Sequence, residues 1–128
     1  LLAKLMPRAG MLALDSGGVS RDPAVVAAYE ADPLVNHGKV TAGLGIALFD
    51  AMDRVMTEAD SITLPMLIMH GGADTLAAPI GSETFAARVG AADLTLTILP
   101  SLYHEIFNEP EGEDIIGRYA DWIEARLS

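Results

Sequence analysis

The sequence predicts an α/β fold in which parallel strands alternate with helices. Two observations lead to this class: after residue 63 the chain reads strand, helix, strand, helix, and the first strand is a short, unbroken apolar run. This βαβα order is typical of a parallel sheet with right-handed crossovers. Two such strands alone would leave apolar faces and an open edge in water. The pattern therefore predicts that the rest of the sheet lies outside these 128 residues.

Turn residues bound both predicted strands. The first covers 64–69, with Pro65 near its start and the turn residues 70–72 (HGG) directly after it. Its unbroken apolar run is typical of a strand buried on both faces. The second covers 94–99 and alternates apolar with polar residues before Pro100. This alternation favours a strand at the edge of the sheet.

Each strand is followed by a predicted helix. The first helix covers 79–89 and ends at Gly90. The second begins with Asn108 as N-cap, Glu111 as its capping-box partner and Pro110 in the first turn.

The first sixty residues have a different pattern. Residues 1–21 lack any sustained period and are interpreted as an irregular lead-in. Asp22 followed by proline predicts a helix over 23–30. Within 39–59 apolar residues recur at spacings of three and four, which predicts an amphipathic helix. These residues are Val40, Leu44, Leu48, Met52, Val55 and Met56. We therefore expect a lead-in and helical segment at 1–60 and a sheet-forming part at 61–128.

Composition excludes several classes of function. The chain has 8 basic and 18 acidic residues and a net charge of −10, which repels phosphate backbones and argues against nucleic-acid binding. The acidic residues near the end are interpreted as a solvated face. The chain has no cysteine, so it has neither disulfides nor a cysteine-based metal site.

The sequence shows neither a membrane-helix pattern nor a signal-peptide pattern. The apolar runs are far shorter than the roughly 20 residues of a membrane helix. The sequence starts at Leu1 without methionine and lacks a signal-peptide pattern. We expect Leu1 to be an interior point of a longer chain, and we take a cytoplasmic location as the default.

The candidate chemistry lies in the loops after the two strands. Asp74 follows the first strand and His104 follows the second. Because the carboxyl ends of parallel strands meet at one crevice, a carboxylate there can hold the imidazole Nδ1–H and leave Nε2 to take a proton from a nucleophile. Gly71 and Gly72 are expected to permit a sharp chain reversal before the acid. The sequence lacks the Gly-x-Ser-x-Gly motif that usually supplies the nucleophile, so only two members of a catalytic triad are predicted.

These motifs carry a resemblance to a known family. The chain resembles the C-terminal part of the monoacylglycerol lipase and lysophospholipase group of α/β-hydrolases. The matching residues are 64–74 (LPMLIMHGGAD), Pro79, Ser82 and 103–109 (YHEIFNE). The stretches 20–23 (SRDP), 32–35 (DPLV) and 37–41 (HGKVT) are similar to the helical cap that these lipases insert before the acid-bearing strand.

The resemblance implies roles for particular residues. Asp74 matches the catalytic acid and His104 the catalytic histidine, while Leu44, Leu48 and Met52 of the cap are weaker candidates for contact with an acyl chain. The family's early strands, oxyanion-hole loop and nucleophile elbow would precede Leu1. The implied partners are an acyl ester substrate, with monoacylglycerol first, the remaining N-terminal half of the hydrolase domain, and a membrane surface touched transiently by the cap.

Other interpretations stay open at this stage. Without the resemblance, Asp74 is an ordinary turn residue and His104 a loop histidine. The chain could instead be a non-catalytic binding or assembly module that retains part of the hydrolase fold. It could also belong to enzymes of this fold with other chemistry, such as epoxide hydrolases or haloperoxidases.

Several polar residues are assigned structural roles and not catalytic ones. Ser16 lies in the sequence Asp-Ser-Gly-Gly, which echoes trypsin-like proteases, but the glycine that the elbow needs is replaced by Leu14, and Ser16 is rejected as nucleophile. His70 is expected to support the end of its strand, and Glu105 to be a capping or loop carboxylate. No metal site and no cofactor are predicted.

Overall fold

The computed structural model describes residues 5–127. Four α-helices lie within this range: α1 (Pro23–Ala31), α2 (Ala42–Glu58), α3 (Ile80–Ala86) and α4 (Gly112–Glu124). The strands of the same range are β1 (Gly10–Leu12), β2 (Val40–Thr41), β3 (Met66–Gly71) and β4 (Leu94–Leu99). Short 3-10 helices cover Ser16–Gly18, Ala59–Ser61 and Ile106–Asn108.

The two long strands form the parallel pair that the sequence predicts. β3 and β4 are paired in register from Met66 opposite Leu94 to Gly71 opposite Leu99. Helix α3 connects them along the chain and contacts both. Because the strands run in the same direction, the loops that follow them emerge at the same edge of the sheet.

The limits of β3 and α3 differ slightly from the prediction. β3 begins after Pro65, which lacks an N–H, and the Met66 amide donates to the Asp93 carbonyl at 2.9 Å. α3 ends at Ala86 and not at residue 89, and the Gly90 amide turns back to donate to the Ala59 carbonyl at 3.2 Å. This backbone contact draws the chain away from the helix axis before Gly90.

The predicted start of the last helix is wrong. Asn108 ends a 3-10 helix, and its side-chain amide donates to Glu105 at 2.7 Å. α4 starts at Gly112 after Glu111, which makes no capping hydrogen bond because its carboxylate accepts from Arg21. The ion pair with Arg21 therefore replaces the predicted capping box.

The first sixty residues contain the predicted helices and one small sheet. Asp22 caps α1 by accepting from the Ala24 amide at 2.8 Å, as predicted. α2 begins after Thr41, whose hydroxyl accepts from the Leu44 amide at 3.3 Å. β1 and β2 pair antiparallel, a contact that the sequence pattern missed because strands of two or three residues carry no readable period.

Burial is concentrated near the sheet edge and the helix ends. The buried apolar residues are Val19, Ala42, Ala59, Leu102 and Ile115. On α2, by contrast, large apolar residues are exposed: Leu44, Ile46, Leu48, Phe49, Met52 and Val55. None of the helices within residues 5–127 combines the length and the hydropathy needed to cross a bilayer.

Candidate active site

Asp74 and His104 meet at the carboxyl edge of the β3–β4 pair. Asp74 lies three residues after β3 and His104 five residues after β4. The His104 Nδ1 atom lies 2.8 Å from Asp74 Oδ2. The structure therefore brings together the two residues that the sequence singled out.

The Asp74 carboxylate is buried and fully hydrogen-bonded. Its side chain is 2 % exposed. Oδ1 accepts from the backbone amides of Leu76 at 2.8 Å and Ala77 at 2.9 Å. Burial by itself raises the pKa of this carboxyl, but the hydrogen bonds from Ala77, His104 and Leu76 outweigh it and hold the pKa of Asp74 below its ordinary value. Asp74 is therefore an ionised acceptor at neutral pH.

His104 presents its other nitrogen outwards. Because Nδ1 faces a carboxylate, it carries the proton, and Nε2 keeps a lone pair. The side chain is 44 % exposed, and within residues 5–127 no hydrogen bond engages Nε2. This tautomer can accept a proton at Nε2 while Asp74 stabilises the resulting charge.

Gly71 and Gly72 serve a purpose other than the predicted one. Neither has a positive φ, so the chain reversal does not require glycine. A Cβ on Gly71 would overlap the carbonyl oxygens of Leu102 and Tyr103, and one on Gly72 would lie 2.7 Å from the Pro100 Cα. The glycines are needed because the histidine loop passes directly against the end of β3.

Glu109 anchors the histidine loop from the inside. Its side chain is 0 % exposed, and Oε1 accepts from the Tyr103 amide at 2.6 Å. Oε2 accepts from Arg21 Nε at 2.9 Å and from the Arg21 amide at 3.2 Å. The interpretation of the acidic end as a solvated face is therefore wrong for Glu109, whose neighbours in the sequence gave no sign of an internal partner.

The lead-in segment lies along the same loop. The Glu105 amide donates to the Val19 carbonyl at 2.8 Å, and the His104 amide lies 3.4 Å from the Gly18 carbonyl. Ser20 Oγ donates to the Asn108 carbonyl at 3.0 Å. Residues 18–21, which sequence reasoning left as irregular, thus hold the backbone on both sides of His104.

Glu105 and Ser16 take the minor roles assigned to them. Glu105 accepts from Asn108 within its own loop. The Ser16 hydroxyl donates to Glu30 Oε1 at 2.5 Å and not to His104. Neither contact activates a nucleophile.

His70 is more closely tied to the site than predicted. Its Nδ1 lies 2.7 Å from Ser82 Oγ, and its Nε2 lies 2.9 Å from the Ala77 carbonyl and 3.2 Å from Asp74 Oδ2. His70 therefore supports the loop of the acid as well as the end of β3. Spacing alone could not reveal this, because the three partners come from the loop and from α3.

An apolar groove of about 800 Å³ lies between α2 and α3 beside His70. Leu48 and Met52 line it from α2. Leu44, the third candidate, is 52 % exposed one turn earlier on α2 and does not line this groove. Within the described residues no group of three potential ligands is arranged to hold a metal ion.

Comparison with known proteins places the chain in a family. Residues 1–111 match the family model described as "Serine aminopeptidase, S33". The chain belongs to this family of α/β-hydrolases. It is 42 % identical over 127 residues to the monoacylglycerol lipase of Mycolicibacterium smegmatis, a match that covers 99 % of this chain and 45 % of that protein.

Solved structures agree with this assignment. The structure is similar to that of Paleococcus ferrophilus monoacylglycerol lipase, with a TM-score of 0.84 and 34 % identity over 94 % of this chain and 48 % of the other. A soluble variant of Saccharomyces cerevisiae monoglyceride lipase in complex with a substrate analog gives a TM-score of 0.79 and 25 % identity, covering 97 % and 44 % of the two chains. The predicted resemblance and the predicted partial α/β-hydrolase fold are confirmed, and the chain spans about half the length of these relatives.

Proposed function

We propose that the full-length protein is a serine-type ester hydrolase that acts on acylglycerols, monoacylglycerols first. The observation that carries the proposal is the 2.8 Å contact between His104 Nδ1 and the buried Asp74 carboxylate. The similarity to monoacylglycerol lipases supports the choice of substrate class.

In this proposal His104 is the general base and acid. Nε2 takes the proton of a serine hydroxyl as that oxygen attacks the ester carbonyl, and then delivers the proton to the departing glycerol oxygen. Asp74 holds the tautomer and stabilises the imidazolium. Water then repeats the sequence on the acyl-enzyme, with His104 again as the base.

The nucleophilic serine and the oxyanion donors come from the remaining N-terminal half of the hydrolase domain. The 128 residues contain no Gly-x-Ser-x-Gly motif, and the relatives are about twice as long as the matched region. In this division residues 1–60 supply the lead-in and a helical cap, and residues 61–128 supply the C-terminal part of the core.

The groove between α2 and α3 is the proposed site for the acyl chain. It is apolar, and Leu48 and Met52 border it on the side of α2. His70 at its edge places the groove near Asp74. Leu44 lies near the N-terminal end of α2 and outside the groove, so we rank it below Leu48 and Met52 as a contact of the acyl chain.

The cap is also the proposed contact with a membrane surface. Phe49 on α2 is 69 % exposed and Leu34 is 92 % exposed, so apolar side chains are available to touch lipid transiently. The proposed location of the enzyme is the cytoplasm.

A panel of substrates tests the proposal against the broader chemistry of the family. Purified full-length protein is given a series of monoacylglycerols, matching triacylglycerols and an aminoacyl p-nitroanilide. We expect release of fatty acid from monoacylglycerols with the highest kcat/KM. Faster cleavage of the amide would contradict the ester assignment, and no hydrolysis of any of these would favour a non-catalytic module of the same fold.

A further inference from the structure

His70 is a half-buried polar residue that the proposed mechanism does not use. It is the penultimate residue of β3, and its side chain is 16 % exposed. Its ring lies between Ser82 of α3 on one side and the Asp74 loop on the other.

The partners of the ring define its proton. Nε2 faces two acceptors, the Ala77 carbonyl at 2.9 Å and Asp74 Oδ2 at 3.2 Å, so this nitrogen carries the proton. In the neutral ring Nδ1 then accepts from the Ser82 hydroxyl at 2.7 Å. The two acceptors at Nε2 thus fix the tautomer of His70, and Ser82 holds the orientation of the ring.

His70 holds the Asp74 loop in two ways. Ala77 donates its backbone N–H to Asp74 Oδ1, and its carbonyl accepts from His70, so the backbone of Ala77 is held at both of its peptide groups. The same Nε2–H also lies beside Asp74 Oδ2, the oxygen that accepts from His104. One carboxylate oxygen is therefore flanked by two imidazoles.

We propose that His70, oriented by Ser82, is a positioning residue that fixes Asp74 and sets how strongly Asp74 Oδ2 stabilises the protonated form of His104. The catalytic consequence rests on the proposed function, whereas the effect on the titration of His104 does not.

The direction of the effect follows from the charge on Oδ2. An N–H dipole beside a carboxylate oxygen offsets part of its negative charge, and a protonated His70 would compete with His104 for the same oxygen. Without His70, Oδ2 is left to His104 alone, and the imidazolium of His104 becomes more stable. A purely structural loss would act in the opposite direction, because a looser Asp74 stabilises the imidazolium less.

Within residues 5–127 the charged groups of the histidine loop have other partners: Glu105 accepts from Asn108, and Glu109 accepts from Arg21 and from the Tyr103 amide. The one acidic residue of α3, Glu83, makes no hydrogen bond or ion pair with either histidine. Helix α2 faces the groove beside His70 mainly with Leu48, Met52 and Val55. The Asp74 carboxylate is the group that couples the two rings.

The test is an NMR titration of the His104 ring in the full-length protein and its variants. In His70→Leu we expect the titration midpoint of His104 to rise by about 0.5 pH unit, with the acid limb of kcat/KM moving equally. We expect kcat to fall about tenfold at unchanged KM. His70→Gln keeps an amide N–H near the position of Nε2 and should restore kcat, with a midpoint close to that of the wild type.

Two further variants keep the test decisive. Ser82→Ala removes only the hydroxyl that orients the His70 ring and should raise the titration midpoint of His104 by a smaller amount. This variant replaces His70→Leu in the test if His70→Leu does not fold. His37→Ala, which removes a histidine that makes an edge-to-face contact with Tyr29, should leave the midpoint unchanged. An unchanged or lowered His104 midpoint in folded His70→Leu, or in Ser82→Ala where His70→Leu does not fold, would overturn the proposal. An inactive wild-type protein would instead overturn the proposed function, and the titration would still report on His70.

Discussion

The loops that carry Asp74 and His104 contrast with helix α2. In the loops, Asp74 and Glu109 are buried and their carboxylates accept hydrogen bonds from backbone amides. On α2 the large apolar residues are exposed, with Phe49 at 69 % and Met52 at 56 %. Hydrogen bonds within this chain thus fix the acid and the histidine. The apolar face of α2, by contrast, is left for another group to cover, in our proposal an acyl chain.

The largest effect is expected at the dyad. His104→Ala or Asp74→Asn in the full-length protein should lower kcat for a monoacylglycerol by roughly 10⁴-fold, because the serine loses its base or the base loses its orientation. Steady-state kinetics measure this, and His37→Ala is the matched control. Near-normal turnover in folded dyad variants would show that these residues are not the acid and base.

The anchor beneath the histidine loop should have the second largest effect. Glu109→Ala leaves the Tyr103 amide without its acceptor and should lower the free energy of unfolding by about 2 to 3 kcal/mol. We also expect kcat to drop about 10- to 100-fold, because His104 is no longer held in line with Asp74. Urea unfolding and kinetics are the readouts.

Glu113→Ala is the control for this anchor, because Glu113 is an exposed carboxylate in the first turn of α4. It should change neither quantity appreciably. Equal effects of Glu109→Ala and Glu113→Ala would mean that the buried hydrogen bonds of Glu109 do not hold the histidine loop in place.

Helix α2 should affect which substrate is preferred and leave the chemical step unchanged. Met52→Ala and Leu48→Ala remove apolar groups from the groove and should raise KM for long-chain monoacylglycerols about 10-fold, with little change for short chains. Ile46→Ala is the control, since Ile46 is exposed on α2 and does not line the groove. A uniform change across chain lengths would assign the acyl chain to another surface.

The smallest effect concerns acid stability. The folded state lowers the pKa of Asp74, so its ionisation stabilises the fold above the unfolded pKa of about 3.9, and this contribution is lost as pH falls through the lower folded value. Denaturation at pH 7 and pH 3 should show a larger stability gap between wild type and Asp74→Asn at pH 7. A gap that is the same at both pH values would contradict the lowered pKa.

Local sequence patterns predicted the two long strands and the pairing of Asp74 with His104, but not the long-range contacts that hold the loops in place. The apolar runs before Gly71 and Pro100 identified β3 and β4, and the strand ends placed Asp74 and His104 together. The roles of Arg21 and Glu109 depend on contacts across 88 positions, which no local period encodes. Asn108 was wrongly predicted as the N-cap of the last helix, because Glu111 forms an ion pair with Arg21 and does not complete a capping box.

Labelling with a fluorophosphonate probe tests the central claim most directly. Full-length wild-type protein and His104→Ala are treated with the probe, and the adduct is located by peptide mass spectrometry. We expect one modified serine, outside these 128 residues, in the wild type and almost none in His104→Ala. An adduct on Ser16, or equal labelling of both proteins, would contradict the assignment of His104 as the base that serves the nucleophile.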